Sequence, residues 1–153
     1  LRAVLGAMKL AGDIERIGDL CKNIAKRCLE LTGEENRAAV KSIERMSRSV
    51  SYQLQKALDA YLRQDINAAI EVLELDDDID DHYVSFFRET LTYMMEDPRQ
   101  IGSNTHLMFM AKNLERIGDH ATNIAKAVYY MVTGETATGD HIEARIKKEG
   151  SGR

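Results

Sequence analysis

The sequence predicts an all-α protein, an antiparallel helical bundle, on three observations. Proline occurs once and tryptophan not at all, while Ala, Leu, Ile, Lys and Glu are abundant, a composition of good helix formers. Apolar residues recur at three- and four-residue spacing over long stretches. The segment IERIGDLCKNIAK at 14–26 returns as LERIGDHATNIAK at 114–126, so the chain is built from a repeated helical unit.

The elements follow in order. A first helix runs to about residue 31 and is closed by Thr32 and Gly33, a common helix stop. A second covers 36–63. Asp65 is placed to cap a third, which continues to about 96. Asp97 and Pro98 then supply a cap and first turn for a fourth, which runs to about 132 and ends at Thr133-Gly134. The residues after Glu135 are small or charged with no sustained apolar stripe, and a mobile tail is expected there. Both repeat copies end a unit, and two helices precede the second copy. The expected organisation is therefore the last helix of a first repeat at 1–33, a complete three-helix repeat at 34–134 and the tail at 135–153. The chain opens without methionine inside a helical pattern (Leu1, Val4, Leu5, Met8), which reads as a fragment. A complete first unit needs on the order of 70 more residues upstream.

With 153 residues, 44% of them hydrophobic, the chain can bury one core and leaves little room for a second domain. The net charge of −4 and the lack of a basic block disfavour a nucleic-acid partner. No apolar run is long enough to span a bilayer and no signal peptide opens the chain, so a cytoplasmic protein is expected. Cys21 and Cys28, seven residues apart on one stripe, read as small core residues.

In the first helix the expected core stripe is Leu10, Ile14, Ile17, Cys21, Ile24, Cys28 and Leu31. The fourth repeats it with Leu107, Met110, Leu114, Ile117, Ala121, Ile124, Val128 and Met131. At about 100° per residue, Glu15 and Asp19, and likewise Glu115 and Asp119, fall nearly opposite those stripes. The bland reading is a solvated face. Against it, like charges four residues apart repel by a few tenths of a kcal/mol, and the arrangement occurs twice. A bound cation would turn that repulsion into attraction, at a site on the outer face of the bundle. The third helix adds LDDDIDDHY at 75–83. Its expected apolar face is Ile66, Ile70, Leu73, Val84, Phe87 and Leu91. Asp77 and Asp80 fall within that face, and Asp78 and Asp81 point away. Acids on an apolar face need a partner: Arg116, a hydroxyl or a metal. Gly18 and Gly118, unfavourable inside helices, suggest a close helix approach or room beside the acids.

A carboxylate-only constellation suits iron, manganese, magnesium or zinc. The Glu-x-x-His pairs of dinuclear helical oxygenases are missing; His120 stands five residues after Glu115 and its counterpart is Leu20. His82 and His106 read as structural or exposed. No activated nucleophile, phosphate loop or dinucleotide fingerprint is present. A carboxylate-bridged metalloenzyme and a purely structural helical interaction module remain as alternatives to a metal-binding regulator.

The doubled ERIGD with NIAK, DDDIDDHY on the preceding helix and ALDAYLRQD at 57–65 strongly resemble the PhoU family, over about positions 1–134. The resemblance implies an all-helical fold of three-helix repeats, commonly dimeric. It implies multinuclear metal clusters, with divalent or trivalent ions and iron or zinc among the candidates, carried by an E(D)xxxD motif on each repeat. Glu15 and Asp19, and Glu115 and Asp119, match that motif. The family's acidic DxxID stretch is placed on Asp77-Asp78-Ile79-Asp80, adding Asp77 and Asp80 as candidate ligands. The first site lacks the helices that would complete it in this chain. The resemblance further implies a non-enzymatic cytoplasmic negative regulator. It would link the ATPase of a phosphate ABC transporter to a sensor histidine kinase, by peripheral docking at membrane complexes.

Overall fold

In a computed structural model that describes residues 1–138, the chain forms four α-helices and no strand among those residues. They are α1 (Arg2–Cys28), α2 (Arg37–Arg63), α3 (Ile66–Glu96) and α4 (Ile101–Thr133). The expected tail lies, from residue 139 on, outside the described residues.

Two of the N-terminal caps are those expected, at Asp65 and Asp97, and Asn36 adds a third. The Asn36 side chain accepts hydrogen bonds from the Ala38 and Ala39 amides at 2.8 and 3.4 Å, opening α2. Asp65 does the same for α3, accepting from Asn67 and Ala68 at 2.9 and 3.1 Å. Asp97 accepts from the Arg99 amide, and a single 3₁₀ turn, Pro98–Gln100, leads into α4. Gly134 closes α4 at φ +79°, a left-handed conformation that costs glycine little. The first helix stops earlier than expected, at Cys28: the amides of Glu30 and Leu31 make tighter turn bonds to the Arg27 and Cys28 carbonyls, and those of Thr32 and Gly33 turn to the Glu35 carboxylate at 2.6 and 2.9 Å.

Helix α4 is the centre of the bundle and packs against each of the other three. Its buried stripe is the expected one from Leu107 to Val128, with Met131 half-buried. Facing it, α2 buries Ile43, Met46, Val50, Gln53, Ala57 and Ala60, and α3 buries Val72, Ile79 and Phe86. Phe86, Met46 and Leu107 are among the largest side chains fully removed from water. Truncating one such residue to alanine typically costs about 3–5 kcal/mol.

Two expected faces are corrected. Helix α1 packs almost wholly on α4, so only a narrow stripe (Gly6, Asp13, Ile17, Leu20) is buried. Ile14 is 47% exposed, and Cys21 and Cys28 are exposed free thiols rather than core residues. The expected α1 stripe was wide enough for a helix covered on two sides, and here one side is covered. In α3 the buried positions are Ala69, Val72, Ile79, Phe86 and Thr90 together with the expected Ile70, while Val84, Phe87 and Leu91 are partly exposed. The face is rotated by about one residue from the one read off the sequence.

The pairing of α1 with α4 is antiparallel: Asp13 meets His120 and Asn123, and Arg27 meets His106. A Cβ on Gly6 would collide with Met131, which explains glycine at that crossing.

Candidate metal centre

The rotation of α3 decides which acids meet. Asp77 is exposed, and Asp76 is the half-buried position turned toward α4. Asp80 is largely exposed but lies within electrostatic reach of Glu115, and Asp119 within reach of Asp80 and Asp76. Asp76, Asp80, Glu115 and Asp119 thus line one groove between α3 and α4. The expectation that Asp77 and Asp80 sit on an apolar face is corrected on both counts: neither is buried. Asp119 is exposed, as the outer-face placement expects, and for Glu115 that placement is corrected. Because α3 packs on that flank, the Glu115 side chain is only 14% exposed.

The missed residue was legible. A DxxID stretch is five residues long and begins here at Asp76, one position before the residue assigned to it. Helical spacing agrees, since Val72, Asp76 and Ile79 share a face at i, i+4 and i+7.

The groove's floor is polar and tight. Gln53 of α2 is fully buried, and its Nε2 donates to Asp76 Oδ1 at 3.1 Å and to the Val72 carbonyl at 3.3 Å. Its Oε1 has no hydrogen-bond partner. That oxygen lies 3.0 Å from where a Cβ on Gly118 would be, and Asp76 Oδ1 lies 3.6 Å from the same point. The glycine of the second ERIGD therefore provides a close approach and room beside an acid. The glycine of the first copy does neither: a Cβ on Gly18 would meet nothing within 4 Å.

Charge in the groove is poorly balanced. Lys112 Nζ stands 2.6 Å from Glu115 Oε2, an ion pair whose angle is poor for a hydrogen bond. Arg116, the partner considered for these acids, is exposed and forms no ion pair among the described residues. Burial, then the Glu115 and Asp80 charges, raise the Asp119 carboxyl above its ordinary value near 3.8. Burial and the neighbouring acids raise Asp80 in the same way. For Asp76 burial again dominates, opposed by the Gln53 hydrogen bond. All three shifts disfavour the carboxylates as they stand.

The donor set fits a hard or borderline cation: four carboxylates from two helices, a buried amide oxygen without a partner, and carboxyls held above their ordinary range. The side chains stand apart, and no three acidic, His or Cys groups among the described residues already converge at ligating distance. A cation would have to draw them together. The histidines do not join them. His120 Nδ1 pairs with Asp13 Oδ1 at 2.8 Å, His82 Nε2 with Ser42 Oγ at 3.0 Å, and His106 with Arg27.

Glu15 and Asp19 are both exposed on α1. Since α1 rests on α4, the acid-rich α3 does not pack over that pair.

The raised carboxyls carry a pH signature. The folded state holds their protons more tightly than the unfolded chain does. Their contribution to stability therefore falls as pH rises from about 4 through the raised values, leaving net repulsion at neutral pH. In chelator, Asp119→Asn is expected to raise stability at pH about 7 by a few tenths to about 1 kcal/mol, and to lose that advantage near pH 4. Urea midpoints at the two pH values check it; an advantage that is constant with pH would remove the electrostatic account.

A match to known proteins decides the family. The PhoU domain model matches residues 1–28 and 43–128. The chain belongs to the PhoU family. Proteins named phosphate-specific transport system accessory protein PhoU homolog, from Caulobacter vibrioides and Rhizobium meliloti, are 51% and 48% identical over 90% and 92% of this chain. The chain spans 60% of the length of each. The crystal structure of PhoU from Pseudomonas aeruginosa superposes with a TM-score of 0.85 at 38% identity, covering 88% of this chain and 65% of that one. The PhoU structure from Streptococcus pneumoniae gives 0.82 at 28% identity, over 90% and 65%. The all-α bundle is thus a PhoU fold, and no helix among the described residues is long and apolar enough to cross a membrane.

Proposed function

We propose that this chain acts in a phosphate-specific transport system as a metal-binding, non-enzymatic regulator. It would restrain phosphate uptake and hold phosphate-starvation genes repressed when phosphate is plentiful. The observation that carries the reading is the 51% identity to a PhoU homolog named as an accessory protein of phosphate-specific transport. The partners proposed are the ATPase of the phosphate ABC transporter and a sensor histidine kinase, met at the cytoplasmic face of the membrane, with the regulator acting as a homodimer.

The α3–α4 groove supports the metal component. Asp76, Asp80, Glu115 and Asp119 would hold the cation, and Gln53 Oε1 is the neutral oxygen beside them. The cation would supply positive charge that offsets the repulsion among these acids and fixes α3 against α4. Asp77 is left as an exposed neighbour. Glu15 and Asp19 form a second motif over which α3 does not pack.

The test is co-purification from cells grown in high phosphate, with the tagged chain as bait. The transporter ATPase or the kinase should be retained, and expression of the chain should lower a starvation-gene reporter in a strain lacking its own PhoU. Retention of neither partner together with an unmoved reporter would sink the proposal.

A further inference from the structure

A second polar feature lies away from the acids, where the C-terminal end of α1 crosses the start of α4. A groove of about 490 Å³ opens there, walled by Lys26 and Arg27 of α1 and by His106 and Phe109 of α4. Arg27 is half-buried and held in place twice. One Nη1–H donates to His106 Nδ1 at 3.2 Å, and the guanidinium lies 4.3 Å from the centroid of the Phe109 ring. Because a guanidinium only donates, His106 Nδ1 accepts and its ring proton sits on Nε2, a further donor.

No carboxylate pairs with Arg27 or Lys26 among the described residues. The wall also holds one acid, Glu30, and the amides of Asn23 and Asn113. In a chain of net charge −4, this groove is locally positive. A half-buried guanidinium gives up hydration, and here its fixed partners are a neutral ring nitrogen and an aromatic face. Neither returns what a counter-charge would.

The repeat provides an internal control. Shifting by one hundred positions exchanges α1 with the matching stretch of α4. It maps Lys26 to Lys126, but Arg27 to Ala127, and it maps Gly6 to His106 and Lys9 to Phe109. The groove at the opposite end, lined by Gly6, Lys9, Lys126 and Ala127, is therefore its repeat-related counterpart. Among the described residues that groove is lined by no arginine and no histidine, and its aromatic residue, Tyr130, stands at the position of Glu30 rather than of Phe109. The trio is not needed to pair the two helices.

We propose that the Arg27–His106–Phe109 groove binds a tetrahedral oxyanion, either inorganic phosphate or the phosphoryl group of a small monoester. Arginine, lysine, histidine and asparagine side chains line one groove, a set of donors that suits an anion with three or four oxygens. The fork of a guanidinium can contact two of them. The groove is larger than inorganic phosphate alone requires, so an organic body can enter.

Calorimetric titration of the purified chain, first with inorganic phosphate and then with glycerol 3-phosphate, tests the assignment. Saturable binding of at least one probe is expected, weakening as NaCl is raised. Arg27→Gln should lower the affinity about tenfold or more, Arg27→Lys should lower it by less, and Lys9→Gln, in the counterpart groove, should leave it unchanged. Equal affinity for both probes assigns a free-anion site, and tighter binding of the ester assigns a monoester site. Should Arg27→Gln fail to fold by circular dichroism, Lys26→Gln, an exposed position, serves in its place with a smaller expected loss. Failure of both probes to saturate by about 10 mM, or affinity unmoved in every groove variant, overturns the proposal.

Discussion

Gly118→Val is expected to lower the stability of the folded chain by about 2–3 kcal/mol, while Gly18→Ala raises it by about 1 kcal/mol. The two glycines occupy the same place in the two ERIGD copies, and their surroundings give the opposite signs. At Gly118 the first added carbon meets Gln53 Oε1 at 3.0 Å, with Asp76 Oδ1 and Ile79 Cγ2 at 3.6 and 3.7 Å. Gln53 cannot step aside cheaply, because it is fully buried and its amide nitrogen is spanned between Asp76 and the Val72 carbonyl. Valine adds two methyl groups to that crowd. At Gly18 the same carbon meets nothing within 4 Å, so alanine gains its helix preference without strain. Urea unfolding of both variants checks the pair. A Gly118→Val protein as stable as the parent would mean that Gln53 is mobile and that the groove floor described above is wrong.

Much of the fold could be read from the chain because its helix boundaries are written in local chemistry. Asn36, Asp65 and Asp97 each accept backbone amides, and Gly134 adopts the left-handed turn; all four act within a few residues of their own position. The α4 stripe was equally legible, since a helix surrounded by three others buries a broad apolar face and tolerates a small error in phase. Helix α1 was not. Its sequence carries apolar residues on a second flank, but periodicity reports which residues could be buried rather than which neighbours arrive. With α4 alone beside it, Ile14, Cys21 and Cys28 stay exposed.

At the candidate centre the structure turns a different acid inward from the one expected, and the reason is geometric. A run of acids such as LDDDIDDH contains a carboxylate at nearly every angle around the helix, so an error of one residue in phase substitutes one acid for its neighbour. The phase of α3 is set by Val72, Ile79 and Phe86 rather than by Val84, Phe87 and Leu91. It selects Asp76 over Asp77. Gln53 gave no signal at all, being a polar residue inside an amphipathic helix. Its role becomes visible once α2 and α3 are side by side.

That choice of acid governs the effect of metal. On the proposed cation site, chelator-stripped protein given Zn²⁺ or Mn²⁺ at about 100 times the dissociation constant is expected to gain about 2.7 kcal/mol of stability, since the ion binds only the folded form. Two effects set the affinity on which that gain rests. The cation relieves the repulsion that raises the carboxyls of Asp76, Asp80 and Asp119, and it competes with Lys112 for Glu115. Glu115→Gln combined with Asp119→Asn should abolish the gain. Glu15→Gln combined with Asp19→Asn should leave it intact, because the acid-rich α3 does not pack over that motif. The deciding comparison is between neighbours: Asp76→Asn should cost most of the metal-induced gain and Asp77→Asn little of it. Thermal melts with and without metal, run beside elemental analysis of the loaded protein, read all four variants. Asp77→Asn losing the gain while Asp76→Asn keeps it would return the phase of α3 to the one first read from the sequence, and with it the composition of the site.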